Sequence, residues 1–264
     1  MQRPKGLAGP YPAQWEDPAM AEAYPARLPY SESVIDQLAS LVGGTSPILD
    51  VGSGTGDLAR PLASRGFEVH AVERSPAMIA VAQRRPGGDA VRFTPARIET
   101  APLDPSYALA VAGESVHWFD WDRAMPRIRD ALAPYAWFAV VSRRDRLRGA
   151  ALLHRLIAQW STNQDFEPYD AVELLVTRGW FEPAGRWQAA PTVLHVPIAT
   201  WLLSLHSRNG FGPGRMGLAA KEAFDREASA ILEARFPDGH ARVDFAPEVV
   251  WGRIPDREMR AIVQ

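Results

Sequence analysis

The stretch ILDVGSGTGD at residues 48–57 joins a short apolar run to three alternating glycines, Gly52, Gly54 and Gly56, and places Asp50 two residues ahead of the first glycine. A buried strand that leads through a glycine-rich turn into a helix is how a parallel sheet offers backbone N–H groups to a nucleotide-like ligand. Glycine allows positive φ in that turn and lets the ligand approach the main chain without an intervening Cβ. The stretch therefore predicts a strand-to-helix ligand-binding loop.

A second acid, Glu73, ends the next apolar run at residues 67–72. In a βαβ unit of this length, such an acid can accept hydrogen bonds from both hydroxyl groups of a ribose. Asp50 could hold the turn or, through water, an ammonium group, whereas it would repel a pyrophosphate. The two acids together favour a nucleoside ligand without a pyrophosphate.

The glycine pattern alone also admits a dinucleotide. Counted from Gly52, the pattern G-x-G-x-x-G fails because Asp57 stands in place of the third glycine. Counted from Gly54, residues 54–59 fit the laxer form that ends in alanine. A nicotinamide-dependent oxidoreductase therefore stays open as an alternative interpretation.

Strand-like and helix-like segments alternate through the first half of the chain. The residue pattern predicts helices after residues 56, 76 and 121, and strands near residues 48, 69, 91, 108 and 137. Such alternation predicts an α/β fold with a doubly wound, mostly parallel sheet, whose ligand lies at the carboxyl ends of the strands.

The regular alternation of strand-like and helix-like segments ends after residue 142. Residues 242–253 are interpreted as one last strand despite Pro247, and the helical stretch 198–236 is predicted to form a lid inserted before that strand. Residues 1–30 are predicted to form an N-terminal lid segment. Residues 31–264 are then one domain that contains the lid insertion.

Composition narrows the functional classes. The chain has 264 residues, with 29 basic and 31 acidic side chains, and this balance does not indicate a nucleic-acid groove or a polybasic membrane anchor. There is no cysteine, and no two histidines have ligand spacing, so no metal site is predicted. Apolar runs are shorter than the roughly 18 residues of a membrane span. We expect a cytoplasmic protein, a monomer or homodimer, with no nucleic-acid or membrane partner.

Four stretches resemble segments of class I S-adenosylmethionine-dependent methyltransferases, in the family's order. Residues 48–57 resemble motif I, residues 72–78 (VERSPAM) the segment after strand 2, and residues 96–103 (ARIETAPL) the adenine-edge segment. Residues 112–120 (AGESVHWFD) resemble the stretch after strand 4 in the branch that contains ubiquinone-type and trans-aconitate-type enzymes. On these residues the chain is identified as a member of the class, and residues 31–264 become its methyltransferase domain.

The resemblance implies S-adenosylmethionine as the cofactor. The cofactor-binding residues that it implies are Arg27, Asp50, Gly52, Gly54, Gly56, Glu73, Arg74, Met78, Arg97, Ile98 and Gly113. Arg97 departs from the family pattern, in which a small or acidic residue more often meets the adenine amino group, so that contact could pass to the backbone of Ile98. Arg27 lies in a segment similar to the N-terminal segment of trans-aconitate-type enzymes, where an arginine pairs with the methionine carboxylate of the cofactor.

Two histidines are candidate bases for methyl transfer. His117 follows strand 4, beside the expected methyl donor, and His206 ends an apolar helical run in the predicted lid. The predicted substrate-contacting residues are Tyr24, Tyr30, Trp118 and Arg208. An aromatic wall attracts a cation such as a sulfonium, and an arginine can hold a carboxylate or phenolate.

The predicted activity is methyl transfer from S-adenosylmethionine to a small molecule, with oxygen favoured as the acceptor atom. A second hypothesis keeps the cofactor without the transfer, as a cyclase or a binding module. The third is the nicotinamide-dependent oxidoreductase.

Overall fold

The computed structural model describes residues 11–43, 47–104, 106–149 and 151–256. The strands are β1 (Ile48–Val51), β2 (Val69–Glu73), β3 (Val91–Pro95), β4 (Tyr107–Gly113), β5 (Leu132–Ser142), β6 (Asp145–Leu147), β7 (Glu182–Gln188), β8 (Thr192–Pro197), β9 (His240–Phe245) and β10 (Glu248–Arg253). The α-helices are α1 (Pro18–Ala23), α2 (Glu32–Ser40), α3 (Ala59–Ser64), α4 (Pro76–Arg84), α5 (Trp121–Ala131), α6 (Ala151–Trp160), α7 (Ala171–Thr177), α8 (Ile198–Leu205), α9 (Pro213–Met216) and α10 (Leu218–Arg235). None of the helices within these ranges is both long and apolar enough to cross a bilayer.

Seven strands form one sheet in the order β3-β2-β1-β4-β5-β10-β7. The first five of these run parallel, while β10 runs antiparallel to both of its neighbours. All five predicted parallel strands and the three predicted helices between them are present. The predicted doubly wound, mostly parallel α/β fold is confirmed.

Helices cover both faces of this sheet. One face packs around Trp121 and Phe138, and the other packs around Leu38 and Leu62. Strands β1 and β2 are buried along their whole length, which explains their near-continuous apolar sequences. Because β1, β2 and β4 are parallel neighbours, their carboxyl ends meet at one edge, where such folds bind ligands.

A second unit lies beyond β5. Strands β6, β9 and β8 form a three-stranded antiparallel sheet, and α6, α8 and α10 pack with it around Trp201 and Phe224. The predicted lid at 198–236 contains α8, α9 and α10, but the same hydrophobic cluster also includes Leu153 and Val243. The helical insertion is therefore one part of a larger unit. Its closing over a cofactor stays a prediction.

The single last strand predicted at residues 242–253 is wrong. This region forms two strands, β9 and β10, which belong to two different sheets. Pro247 lies between them. Proline has no N–H with which to continue a strand ladder, so the chain changes direction there.

The N-terminal segment joins the two units. Met20 of α1 is buried against Met78 and other apolar residues of α4. Gln14 Nε2 donates to Asn209 Oδ1 at 2.9 Å, and Gly214 N–H donates to the Asp17 carboxylate at 3.0 Å. Of the predicted 1–30 lid segment, residues 1–10 lie outside the described residues.

A buried histidine in β2 is expected to make the fold acid-sensitive. His70 Nε2 lies 2.7 Å from Thr94 Oγ1, Nδ1 is hydrogen-bonded to Tyr107 Oη, and burial lowers the histidine pKa from 6.5 to about 4. The unfolded chain then binds the proton more readily, so the free energy of unfolding falls as pH drops from about 6.5 to 4. Urea unfolding should show this loss reduced in His70→Gln. An unchanged pH dependence would contradict the account.

Candidate cofactor cleft and active site

The glycine loop lies between the ends of β2 and β4. Gly52, Gly54 and Gly56 have φ values of 67°, 56° and 71°, and Gly52 N–H donates to Val72 O at 2.8 Å. A Cβ on Gly52 would lie 2.8 Å from Ser115 Cβ, which is closer than real Cβ contacts. Glycine is therefore required at this position on both conformational and steric grounds.

Glu73 ties the loop to the start of α4. Its Oε2 accepts a hydrogen bond from Gly54 N–H at 2.9 Å, and its Oε1 accepts one from Ser75 N–H at 2.8 Å. Burial raises the pKa of the carboxyl, and these two hydrogen bonds oppose that shift. Each carboxylate oxygen can still accept a second hydrogen bond, and the side chain lines the cleft, so it can serve two ribose hydroxyls.

Asp50 is a buried acid whose carboxylate forms no hydrogen bond of normal geometry with the described residues. It is 1% exposed, and neither carboxylate oxygen has such a partner. Burial raises its pKa to about 8, the backbone N–H of Ala59 opposes that shift, and the nearby Glu73 and Asp57 charges add to it. The carboxylate lines a small pocket with Tyr24, Tyr30, Gly113 and Arg143. An unpartnered buried acid at this position suits the ammonium group of a ligand.

The opposite end of the cleft is apolar, with an acidic edge. Met78 and Ile98 line it, both almost fully buried. Arg97 also lines it, with Nε 3.7 Å from Glu99 Oε2, while Glu99 Oε1 accepts Asp120 N–H at 2.7 Å. Glu99 was not among the predicted residues, and it gives this end of the cleft an acidic group beside Arg97.

Aromatic rings wall the middle of the cleft. Trp118 lies edge-on to Trp15, with ring centroids 5.4 Å apart, and 5.2 Å from the ring of His117. The ring of His117 is in turn 5.5 Å from Tyr169. Burial, with a further contribution from Arg27, lowers the pKa of His117 to about 3. The imidazole is therefore neutral across the physiological pH range.

Two arginines join the N-terminal segment to the site. Arg27 Nε donates to Ser207 Oγ at 2.7 Å and its Nη2 donates to Ser207 O, while its guanidinium lies over the Tyr24 ring at 4.3 Å. Arg143 lines the small pocket that contains Asp50. Its Nη2 donates to the Asp57 carboxylate at 2.9 Å, and its Nε donates to Leu28 O at 2.7 Å.

Most of the predicted residues converge on this region. The cleft is lined by Tyr24, Gly52, Gly54, Glu73, Arg74, Met78, Arg97, Ile98 and Trp118. The adjoining small pocket adds Asp50, Tyr30 and Gly113. Gly56, Arg27 and His117 line neither space. Gly56 closes the turn onto α3, where Arg60 N–H donates to its carbonyl. Arg74 forms an ion pair with Glu16 of the N-terminal segment.

The lid residues differ from expectation. His206 is 2% exposed, with Nε2 2.7 Å from Asp225 Oδ1 and Nδ1 3.1 Å from Phe211 O. Both ring nitrogens are thus engaged inside the lid, and the prediction of His206 as a base does not fit this position. Arg208 forms an ion pair with Asp145 at 2.8 Å and lines a separate cavity.

Several residues of the site were missed, among them Trp15, Glu99 and Arg143. Arg143 directly follows β5, and a basic residue at the end of a parallel strand is a signal that sequence reasoning could have used. Trp15 lies in an N-terminal region whose sequence has no regular pattern. Nothing local connects it with Trp118, its partner across the cleft.

This strand order, with a glycine turn after β1 and a cleft-lining acid at the end of β2, defines the class I methyltransferase fold, whose cofactor is S-adenosylmethionine. Residues 48–135 match the family model described as a methyltransferase domain. The chain carries a class I S-adenosylmethionine-dependent methyltransferase domain.

Individual proteins similar to this chain are also described as methyltransferases. Relatives from Mycobacterium tuberculosis and Mycobacterium bovis, each described as an uncharacterised methyltransferase, are 33% identical over 136 residues, which cover 49% of this chain and 53% of the relative. The chain thus spans about half the length of the curated relatives it matches.

Solved structures share the fold. A structure from Anaeromyxobacter dehalogenans, provisionally described as a type II methyltransferase, is 23% identical with a TM-score of 0.60, and the match covers 87% of this chain and 99% of that one. A structure from Anabaena variabilis, provisionally described as a methyltransferase from an antibiotic biosynthesis pathway, is 16% identical with a TM-score of 0.57, and covers 85% of this chain and 98% of that one. None of these matches favours the nicotinamide alternative.

Proposed function

We propose that the protein transfers a methyl group from S-adenosylmethionine to a small molecule, with oxygen as the acceptor atom. The observation that carries the proposal is that two acids line adjoining spaces, which share Tyr24 and Gly52. Asp50 is buried without a hydrogen-bond partner, and Glu73 lines the cleft beside the glycine loop. An ammonium group and a ribose diol are the two ligand features that such a pair would hold.

The residues then have distinct binding roles. Asp50 would face the ammonium group, Glu73 the ribose hydroxyls, and Met78 and Ile98 the adenine ring. Arg27 would pair with the methionine carboxylate, as the family resemblance implies. The contacts of residues 14–17 with the lid loop at 209–214 support closure of both lid segments over the bound ligand.

When bound, the cofactor supplies a methyl group on a sulfonium, and an acceptor oxygen forms the C–O bond while the C–S bond breaks and its electron pair stays on sulfur. The protein must align the two molecules and exclude water. Trp15 and Trp118 wall the cleft from opposite segments of the chain, and an aromatic face stabilises a nearby cation by roughly 0.5–2 kcal/mol.

The role that we propose for His117 is a hydrogen bond to the acceptor oxygen. Because burial keeps its pKa far below neutrality, it is a weak base and serves best as a neutral hydrogen-bonding group that orients this oxygen. His117→Gln is therefore expected to lower kcat about tenfold, less than the roughly 10²–10⁴-fold of general-base catalysis. The shape of the pH profile between 5.5 and 8 should not change. A limb near pH 6.5 that disappears in the variant would contradict this assignment.

A turnover assay tests the proposal. The full chain, incubated with S-adenosylmethionine labelled in the methyl group and a panel of carboxylic acids, phenols, amines and carbon acids, should release S-adenosylhomocysteine and give a labelled oxygen-methylated product. Cofactor binding without any release over the whole panel would favour a binding module or cyclase. Transfer to nitrogen or carbon alone would overturn the choice of oxygen.

A further inference from the structure

A cavity of about 520 Å³ lies within the lid unit, between α6 and α8. Half of its sixteen lining residues are polar or charged, and six of the apolar ones are Leu147, Leu153, Ile157, Trp201, Leu205 and Phe211. Cavities of 300–1,000 Å³ that combine hydrophobic and aromatic side chains with some polar groups are typical of sites for small organic ligands. None of these six residues lines the cofactor cleft, so the cavity is a second space that the cofactor does not account for.

An uninterrupted row of aromatic rings connects the cavity with the cleft. Phe166 lines the cavity, and its ring centroid is 6.3 Å from that of Tyr169. Tyr169 is 5.5 Å from His117, and His117 is 5.2 Å from Trp118 of the cleft wall. Phe166 is 52% exposed, so the cavity opens to solvent beside it. Side chains in contact thus lead from the cavity wall to the cleft wall, and Tyr169 and His117, which line neither space, lie between them. An elongated ligand in the cavity would have to extend past Tyr169 to reach His117.

The arginines of the lid give a second connection. Arg27 holds the side chain and carbonyl of Ser207, the neighbour of Arg208, which lines the cavity. The guanidinium of Arg27 also lies over the ring of Tyr24, which lines the cleft. Arg27 therefore contacts a residue of the cleft on one side and the neighbour of a cavity residue on the other.

The charged residues of the cavity lining are already paired. Arg208 Nη2 lies 2.8 Å from Asp145, and Arg146 lies 3.5 Å from Asp244 on β9. A ligand with several carboxylates would need further cations, because buried charges without partners are costly. One acidic oxygen directed toward the donor sulfonium needs no such partner from the cavity.

We propose that this cavity binds the methyl acceptor, and that the acceptor is an elongated, mostly apolar or aromatic molecule with a single acidic oxygen, a carboxylic acid or a phenol. The inference rests on the proposed function and adds no step to the transfer. The acidic oxygen forms the C–O bond while the C–S bond of the donor breaks, and a proton that it still carries passes to water. On this proposal polycarboxylates and nucleotides are not acceptors.

Calorimetric binding to the full chain saturated with S-adenosylhomocysteine tests this proposal. The probes are decanoate and 4-phenylphenol, with citrate as the polycarboxylate comparison. Ala158→Trp introduces a large ring at an exposed position that lines the cavity, and Gln159→Trp is the matched control on the same helix, outside the lining. Decanoate and 4-phenylphenol should bind at least tenfold more tightly than citrate. Ala158→Trp should weaken both at least tenfold, and Gln159→Trp should leave them unchanged.

Failure of this proposal is distinguishable from failure of the proposed function. Citrate binding as tightly as decanoate in the wild-type chain, or neither apolar probe binding while S-adenosylhomocysteine does, would overturn the cavity assignment alone. Probe affinities unchanged in a folded Ala158→Trp variant would overturn it as well. If S-adenosylhomocysteine itself does not bind, the proposed function fails and the acceptor assignment fails with it.

Discussion

Glu73→Ala is expected to weaken S-adenosylmethionine binding about 100-fold, or about 3 kcal/mol. In the proposed binding mode this carboxylate accepts hydrogen bonds from both ribose hydroxyls, and hydrogen bonds to a charged group contribute roughly 1.5–3 kcal/mol each. The same carboxylate holds Gly54 N–H and Ser75 N–H, so its loss also loosens the glycine loop. Isothermal titration with the wild-type and variant proteins measures the change.

Two further substitutions distinguish the loss of a cofactor contact from a general loss of folded structure. Glu73→Gln retains one acceptor oxygen and should lose about tenfold in affinity. Glu68→Ala removes an exposed carboxylate immediately before β2, outside the cleft, and should bind like the wild type. If Glu73→Ala binds within threefold of the wild type while remaining folded, Glu73 does not hold the ribose.

Asp50→Asn is expected to have opposite effects on stability and on binding. The carboxyl pKa is about 8 in the folded protein and near 3.8 when solvated, so the folded state opposes ionisation. The contribution of Asp50 to stability is therefore most favourable at low pH and is lost as pH rises toward 8. Asparagine cannot ionise, and the variant should be more stable than the wild type at pH 8, by about 2–4 kcal/mol.

Cofactor affinity should fall about 10- to 100-fold in the same variant, because a charge-assisted contact with the ammonium group becomes a neutral one. Urea unfolding at pH 5 and pH 8 isolates the stability effect as the difference between variant and wild type. Asp89→Asn, at an exposed position, is the control and should show no such difference. A variant less stable than the wild type at pH 8 would contradict the assigned environment of Asp50.

The sequence was sufficient for the parallel half of the fold because its signals are local. Each buried strand is a continuous apolar run, and the residues of the 48–57 loop specify its backbone conformation without reference to distant parts of the chain. The same holds for Glu73, whose position in the cleft at the end of β2 follows from its distance along one βαβ unit. These features required no knowledge of tertiary contacts.

The missed features all depend on distant partners. Arg143 contacts Asp57 and Leu28, far from it in sequence. The engagement of His206 depends on Asp225 of α10, which the helical pattern around His206 does not reveal. Likewise, only tertiary packing places β9 and β10 in different sheets. Long-range pairing, rather than local propensity, decided each of these cases.

The most direct test of the central claim is equilibrium binding of S-adenosylhomocysteine to the wild-type chain by isothermal titration calorimetry. We expect saturable binding at one site, with a dissociation constant below about 1 mM, the upper end of common substrate constants. NAD at the same concentration should give no binding heat. A folded sample that shows no S-adenosylhomocysteine binding at millimolar concentration would contradict the assignment of the cleft.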